Sequence, residues 1–230
     1  MSRAKGTAQS VACLNNLKQL QLAWQLYLDD NNDALPLNEC VDSTPPYWQN
    51  TTNSWVAGSA LTDTNDAKIR LGTLFRYAGS SAVYQCPADK STVLNKPQFA
   101  RTRHYSMPGG MSGAVNGTRE TPAFLKASDI KIPSPTKAFV FIDEHPWSMD
   151  GNAFFAVLPP GTWRWGSFPD ARHQNGANLS FADGHVEHWR WKEASTLQIS
   201  KRNGVVFGAG WVDVKPGDRD LSRLQECIAK

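Results

Sequence analysis

The stretch RHQNGANLSFADGHVEHW, Arg172 to Trp189, holds three of the five histidines in the chain, together with Asp183 and Glu187. Imidazoles and carboxylates at such spacing are the donors of a metal site or of an acid–base pair. Strand alternation tests whether they converge. Asp183-Gly184 suits a two-residue type I′ turn, in which both central residues have positive φ. That turn sets Ala182 opposite His185, Phe181 opposite Val186, Ser180 opposite Glu187 and Leu179 opposite His188. His185 and His188 then point to opposite faces. A second turn at Asn175-Gly176 places His173 at the far end of the strand from Asp183, roughly 20 Å away at ~3.3 Å per residue. The stretch therefore reads as one strand between two tight turns, without a His–Asp dyad of its own.

The other acid–histidine cluster is IDEHPW, at the end of a strand. Glu144 or His145 there is placed to meet His173 from a neighbouring strand. Glu144, His145 and His173 are the metal candidates, with calcium favoured if oxygen ligands dominate. The competing reading of the cluster is a set of turn caps and hydrogen bonds, with no metal and no cofactor. No G-x-S-x-G, H-E-x-x-H, Walker or dinucleotide fingerprint is present. The pairs Trp163/Trp165 and Trp189/Trp191 alternate along extended segments, which suits either packing under long loops or a sugar-binding platform.

The elements that must position these groups follow from periodicity. Residues 4–30 predict one helix about 40 Å long at ~1.5 Å per residue. Cys13, Leu17, Leu20, Trp24, Tyr27 and Leu28 form its core-facing stripe. Val11, Leu22 and Leu26 form a second apolar stripe, which needs a second partner in the domain or in a neighbouring subunit. DDNNDALP ends the helix. Residues 38–66 read as a long polar surface excursion, 67–78 as helical, 82–90 as a short extended piece and 105–122 as turn-rich. KAFVFID (137–143) and NAFFAVL (152–158) predict strands. Leu221, Leu224 and Ile228 predict a C-terminal helix capped by Asp218 or Asp220. The sum is one α+β domain over residues 1–230, with a helix in 1–30 and sheet, loops and the C-terminal helix in 31–230.

Composition supports a folded protein: 40% hydrophobic, 20% charged and a net charge of +3 with interspersed signs. No basic block suggests a nucleic-acid partner. The four cysteines, Cys13, Cys40, Cys86 and Cys227, contain no C-x-x-C pair; both disulfides and buried free thiols remain open. No apolar run reaches the roughly 18 residues of a membrane span.

Three segments resemble the prepilin-type proteins abundant in planctomycetes, verrucomicrobia and their relatives. One is the helix, with a Cys-x-x-Asn-Leu-Lys-Gln core at Cys13, Asn16, Leu17, Lys18 and Gln19. Another is VYQCPAD, similar to a Cys-Pro-x-Asp element at Cys86, Pro87 and Asp89. The third is the His-x9-Asp-Gly pattern at His173, Asp183 and Gly184. The resemblance implies a pilin-like fold, a long N-terminal helix packed on an antiparallel sheet with long loops. It also implies a non-enzymatic pseudopilin-like structural subunit of a type II secretion or type IV pilus-like assembly. Such a subunit is anchored in the inner membrane, faces the periplasm or joins a filament, and has other pilin-like subunits and the secretion machinery as partners. The leader and apolar half-helix of such proteins do not precede Ser2, so the chain is expected to be a shortened, soluble form. The calcium loop of some major pseudopilins has no positional match and is not carried over. A secreted carbohydrate-binding module and a metal-dependent hydrolase are the alternative functions.

Overall fold

A computed structural model describes residues 3–43, 47–202 and 211–229. The N-terminal helix α1 spans Arg3–Asp30. Its Ala-, Leu-, Gln- and Lys-rich composition carries little helical penalty. Asn32 and Asp33 then take left-handed conformations, the Asp33 amide donates to the Leu28 carbonyl, and Pro36 bars further helix. Cys13, Leu17, Leu20, Trp24 and Leu28 are buried, whereas Val11, Leu22 and Leu26 are exposed.

Among the described residues thirteen strands follow: β1 (Asn38–Ser43), β2 (Tyr47–Asn50), β3 (Thr92–Val93), β4 (Lys96–Ala100), β5 (Tyr105–Pro108), β6 (Gly113–Val115), β7 (Thr118–Arg119), β8 (Phe139–Asp143), β9 (Phe154–Phe155), β10 (Arg164–Trp165), β11 (Gly176–Phe181), β12 (Val186–Arg190) and β13 (Val212–Asp213). The short helices are α2 (Phe75–Ala78), α3 (Ala194–Ile199) and α4 (Arg219–Gln225). The central sheet has the order β12-β11-β8-β5-β9. One face packs on α1, where Leu17, Leu20 and Trp24 join Tyr105, Met107, Val140 and Phe141 in one core. The other face is covered by Trp165, Phe168, Trp191, Ile199 of α3 and Leu221 and Leu224 of α4. Asp218 caps α4 by accepting from the Asp220 and Leu221 amides.

The α+β class stands, but the pilin-like arrangement does not. The strands fall into four sheets rather than one. Two pairings, β1 with β6 and β5 with β9, are parallel. Helical periodicity states that α1 must bury a face; it does not state which topology supplies the partner surface. The segment 38–66 is likewise no surface excursion. It forms β1 and β2, and Trp55 lies fully buried against Tyr84 and Phe141. Its polar residues mislead because they hydrogen-bond inside: Asn38 Nδ2 donates to the Met107 carbonyl at 2.8 Å, and Asn38 Oδ1 accepts from Trp55 Nε1 at 3.1 Å. Arg103, also buried, donates to the carbonyls of Ala57, Gly58 and Gly151, each at 2.7 Å. Residues 81–84 are 3₁₀ rather than extended, 105–122 contribute three strands, and 152–158 keep only β9.

The β11–β12 hairpin differs from expectation by one residue in register. Leu179 pairs with Glu187 and Ser180 with Val186. The loop has three residues, Ala182, Asp183 and Gly184, with Gly184 at positive φ. Gln25 approaches Gly184 so closely that a side-chain carbon would collide with its amide. The slip moves His185 onto the side of Leu179 and Phe181, where it stacks on Phe181. His185 and His188 remain on opposite faces, since alternation does not depend on register. Before β11 the left-handed pair is Gln174 and Asn175 rather than Asn175 and Gly176.

Candidate functional site

Four elements converge under α1. The helix supplies Cys13 from its buried stripe. The turn after the 3₁₀ segment Ser81–Tyr84 supplies Cys86, the C-terminal end of β8 supplies Asp143, and the turn before β11 supplies His173. Their donor atoms all lie within 4.8 Å of one another. Cys86 Sγ is 3.2 Å from His173 Nε2, which is 3.2 Å from Asp143 Oδ2. Tyr105 closes the cluster, with its hydroxyl 3.2 Å from Cys13 Sγ. All four residues are at most 2% exposed. All four cysteines are free and buried.

Asn16 and Lys18 hold the helix in register over this cluster. Asn16 Nδ2 donates to the Gln85 carbonyl at 2.8 Å, next to Cys86, and Lys18 Nζ donates to the Gly184 carbonyl at 2.7 Å. Leu17 is buried between them and Gln19 is exposed. On β11, Asn178 Nδ2 donates to the Ser10 carbonyl, and the Ser180 hydroxyl donates to Gln21 Oε1. The helix is thus fixed by side-chain hydrogen bonds as well as by its apolar stripe.

A charged layer lies beside the cluster. Arg172 bridges Asp89 and Asp170, stands 3.8 Å from Asp143 Oδ1, and donates to the Glu144 carbonyl at 3.1 Å. Burial would raise the Asp89 carboxyl, but Arg172, His104 and the Ser91 amide hold it well below the usual range. Burial pushes His104 down to about 4. Its imidazole is therefore neutral, with Nδ1 accepting from the Cys86 amide at 2.9 Å. Burial opposes protonation of His173, but the Asp143 carboxylate and Cys86 Sγ, each 3.2 Å from its Nε2, raise it to about 9. Asp143 is raised by burial, against the pull of Arg172 and His173. Both Asp143 oxygens lack a hydrogen-bond donor in the required geometry, and His173 Nδ1 has no partner either.

Of the sequence candidates, His173 belongs to this cluster; Glu144 and His145 do not. Asp143 takes the place opposite His173, because the next residue along a strand points to the other face. Glu144 accepts from the Ser148 hydroxyl at 2.8 Å and is pushed up to about 8 by burial. His145 has both ring nitrogens engaged: Nδ1 accepts from the Trp147 amide, and Nε2 donates to the Ser200 carbonyl. Asp183 contacts His185, at 2.5 Å, within its own turn. Cys13, Cys86 and Asp143 are the members that sequence reasoning did not bring together. Cys86 and His173 are 87 residues apart, and the one signal available was that Cys13, Cys86 and His173 each head one of the three resembling motifs.

An open cleft of about 640 Å³, lined in part by Asp89, Arg101, His145, Asp170 and Arg172, borders the charged layer. The Arg172 and His145 side chains are committed as described. The tryptophan pairs form no platform: Trp165, Trp189 and Trp191 are buried, and Trp163 is half-buried. Compared with family models, with curated proteins and with solved structures, the chain gives no match in any of the three.

Proposed function

We propose that this chain is a non-enzymatic structural subunit of a cell-envelope assembly of the type II secretion or type IV pilus-like kind. In this reading it acts through α1, is anchored in the inner membrane by a segment preceding the helix, and faces the periplasm. The observation that carries the reading is the two-sided character of α1. One stripe is sewn into the core, while Val11, Leu22 and Leu26 stand 61%, 53% and 42% exposed on the other side. Residues 4–9 are exposed or half-buried, and full burial begins at Ser10. The helix therefore enters the body from outside it. No described helix is long and apolar enough to cross a membrane. The reading rests on the helix and not on a pilin body.

The buried cluster supports a structural role, since substrate turnover needs an open coordination or reaction position and this cluster is sealed. The burial of three of the four paired tryptophans speaks against a carbohydrate platform.

The test is the double substitution Leu22→Asp and Leu26→Asp in the full-length gene product, expressed in its native envelope. Exposed positions change stability by about 0.5 kcal/mol or less. The folded domain should keep its thermal midpoint while the high-mass assemblies in envelope extracts disappear. Unchanged assemblies would sink the proposal, as would codons before Ser2 that lack about 20 apolar residues after a short basic leader.

A further inference from the structure

We propose that Cys13, Cys86, Asp143 and His173 form a closed zinc site that staples α1 to the central sheet. Two sulfurs, one imidazole nitrogen and one carboxylate oxygen, each from a different element, face one point. Tetrahedral zinc has bonds of ~2.0–2.3 Å, which place its ligand atoms roughly 3.3–3.8 Å apart. The 3.2 Å separations from His173 Nε2 to Cys86 Sγ and to Asp143 Oδ2 are close to that scale. The remaining separations stay within 4.8 Å.

The environment of the carboxylate is an independent observation. Asp143 is completely buried, yet neither oxygen accepts a hydrogen bond. Its cationic neighbours, the Arg172 guanidinium 3.8 Å from Oδ1 and the His173 imidazole 3.2 Å from Oδ2, make no hydrogen bond to it, and an ion at this point would supply the direct partner that a buried carboxylate needs. His173 contributes Nε2 on the same side. A Cys13–Cys86 disulfide would consume both sulfurs and leave the Asp143 oxygens as they are, so the geometry favours an ion. The donor set also selects the ion. Calcium and magnesium take oxygen ligands, whereas two thiolates with an imidazole suit zinc. With four protein ligands and no exposed face the site is structural: it fastens the helix and holds no position open for substrate. This inference is independent of whether α1 assembles with other subunits.

The experiment uses the chain isolated under reducing conditions without added metal, then titrated with Zn²⁺ and, separately, with Co²⁺ as an optical probe. One equivalent of zinc per chain should bind. The cobalt form should show thiolate-to-metal charge-transfer bands together with tetrahedral ligand-field bands. Chelation should lower the thermal midpoint and zinc should restore it. Cys86→Ser and Asp143→Asn should each weaken zinc binding at least about tenfold; Asp143→Asn is near-isosteric, so folding is retained for comparison. Wild-type protein that binds no zinc, or a cobalt complex without sulfur charge transfer, overturns the proposal. So does acid-quenched alkylation of fresh cell extracts, if it finds Cys13 and Cys86 joined as a disulfide.

Discussion

Replacing Arg172 with Met should cost on the order of 3–5 kcal/mol of folding stability, the range found when one partner of a buried ion pair is removed. Arg172 is the cation shared by Asp89, Asp170 and Asp143, whose side chains are 2%, 8% and 0% exposed. Methionine fills most of the space but takes from three enclosed carboxylates the counter-charge they share, leaving Asp143 with His173 alone. Asp89 is the most affected, because Arg172 is the largest influence holding its carboxyl low. Its protonation should move to higher pH in the variant, and acid unfolding should begin earlier. Arg172→Lys keeps the charge but loses the planar fork that reaches two carboxylates at once, so an intermediate loss is expected. Urea denaturation of the three proteins at neutral pH is the measurement. A loss below about 1 kcal/mol for Arg172→Met would show that water already reaches these acids and that the layer is not a buried network.

The second large effect is on pH dependence, measured in chelator so that no metal occupies the cluster. Stability should decline steadily between pH ~6.5 and ~9. His173 has a folded pKa of about 9 against an ordinary 6.5, so its contribution is complete below 6.5 and is lost as pH rises through 9. Glu144, at about 8, and Asp150, at about 7, are both raised by burial. Each remains protonated in the folded state where the unfolded chain has already ionised. In this window the native state binds more protons than the unfolded state, and stability must fall with pH. His104 acts in the opposite direction only below 6.5, where the unfolded chain takes up a proton that the folded imidazole, at about 4, refuses. The maximum should therefore lie on the acid side of neutrality. Glu144→Gln removes one of the three contributions and should flatten the decline. A stability that rises from pH 6.5 to 9 would contradict these assignments.

Local periodicity made part of this molecule legible. The stripe from Cys13 to Leu28 fixed α1 and its buried face, and the β-branched and aromatic run around Phe141 marked the central strand. Asp218 or Asp220 marked the start of the last helix, because a cap is a local device, and Asp218 is the one that caps it. What escaped has non-local causes. Trp55 looked like part of a loop because the polar residues of its segment are satisfied far away in sequence, Asn38 by the Met107 carbonyl and Asn50 by Arg103. The hairpin register slipped by one because a three-residue turn containing Ala182 and a two-residue turn have nearly the same sequence signature. The pilin-like arrangement failed because a helix stripe carries no information about strand order. The candidate site was the least visible part: His173 stood out by residue type, but its partners Cys13, Cys86 and Asp143 are joined to it only by the topology. Glu144 attracted attention in place of Asp143 because a one-residue difference in facing is invisible until the strand end is known.

The outward stripe of α1 is the feature on which the functional proposal depends, and cross-linking reads it directly. A photo-reactive residue placed at Leu22 or Leu26 in the full-length protein, within its native envelope, should yield adducts between copies of this chain on illumination. The same residue at Ile132, an exposed apolar position outside the helix, should yield none. Monomer alone from the helix positions, or equal adduct yields from all three sites, would contradict a role for this helix in assembly.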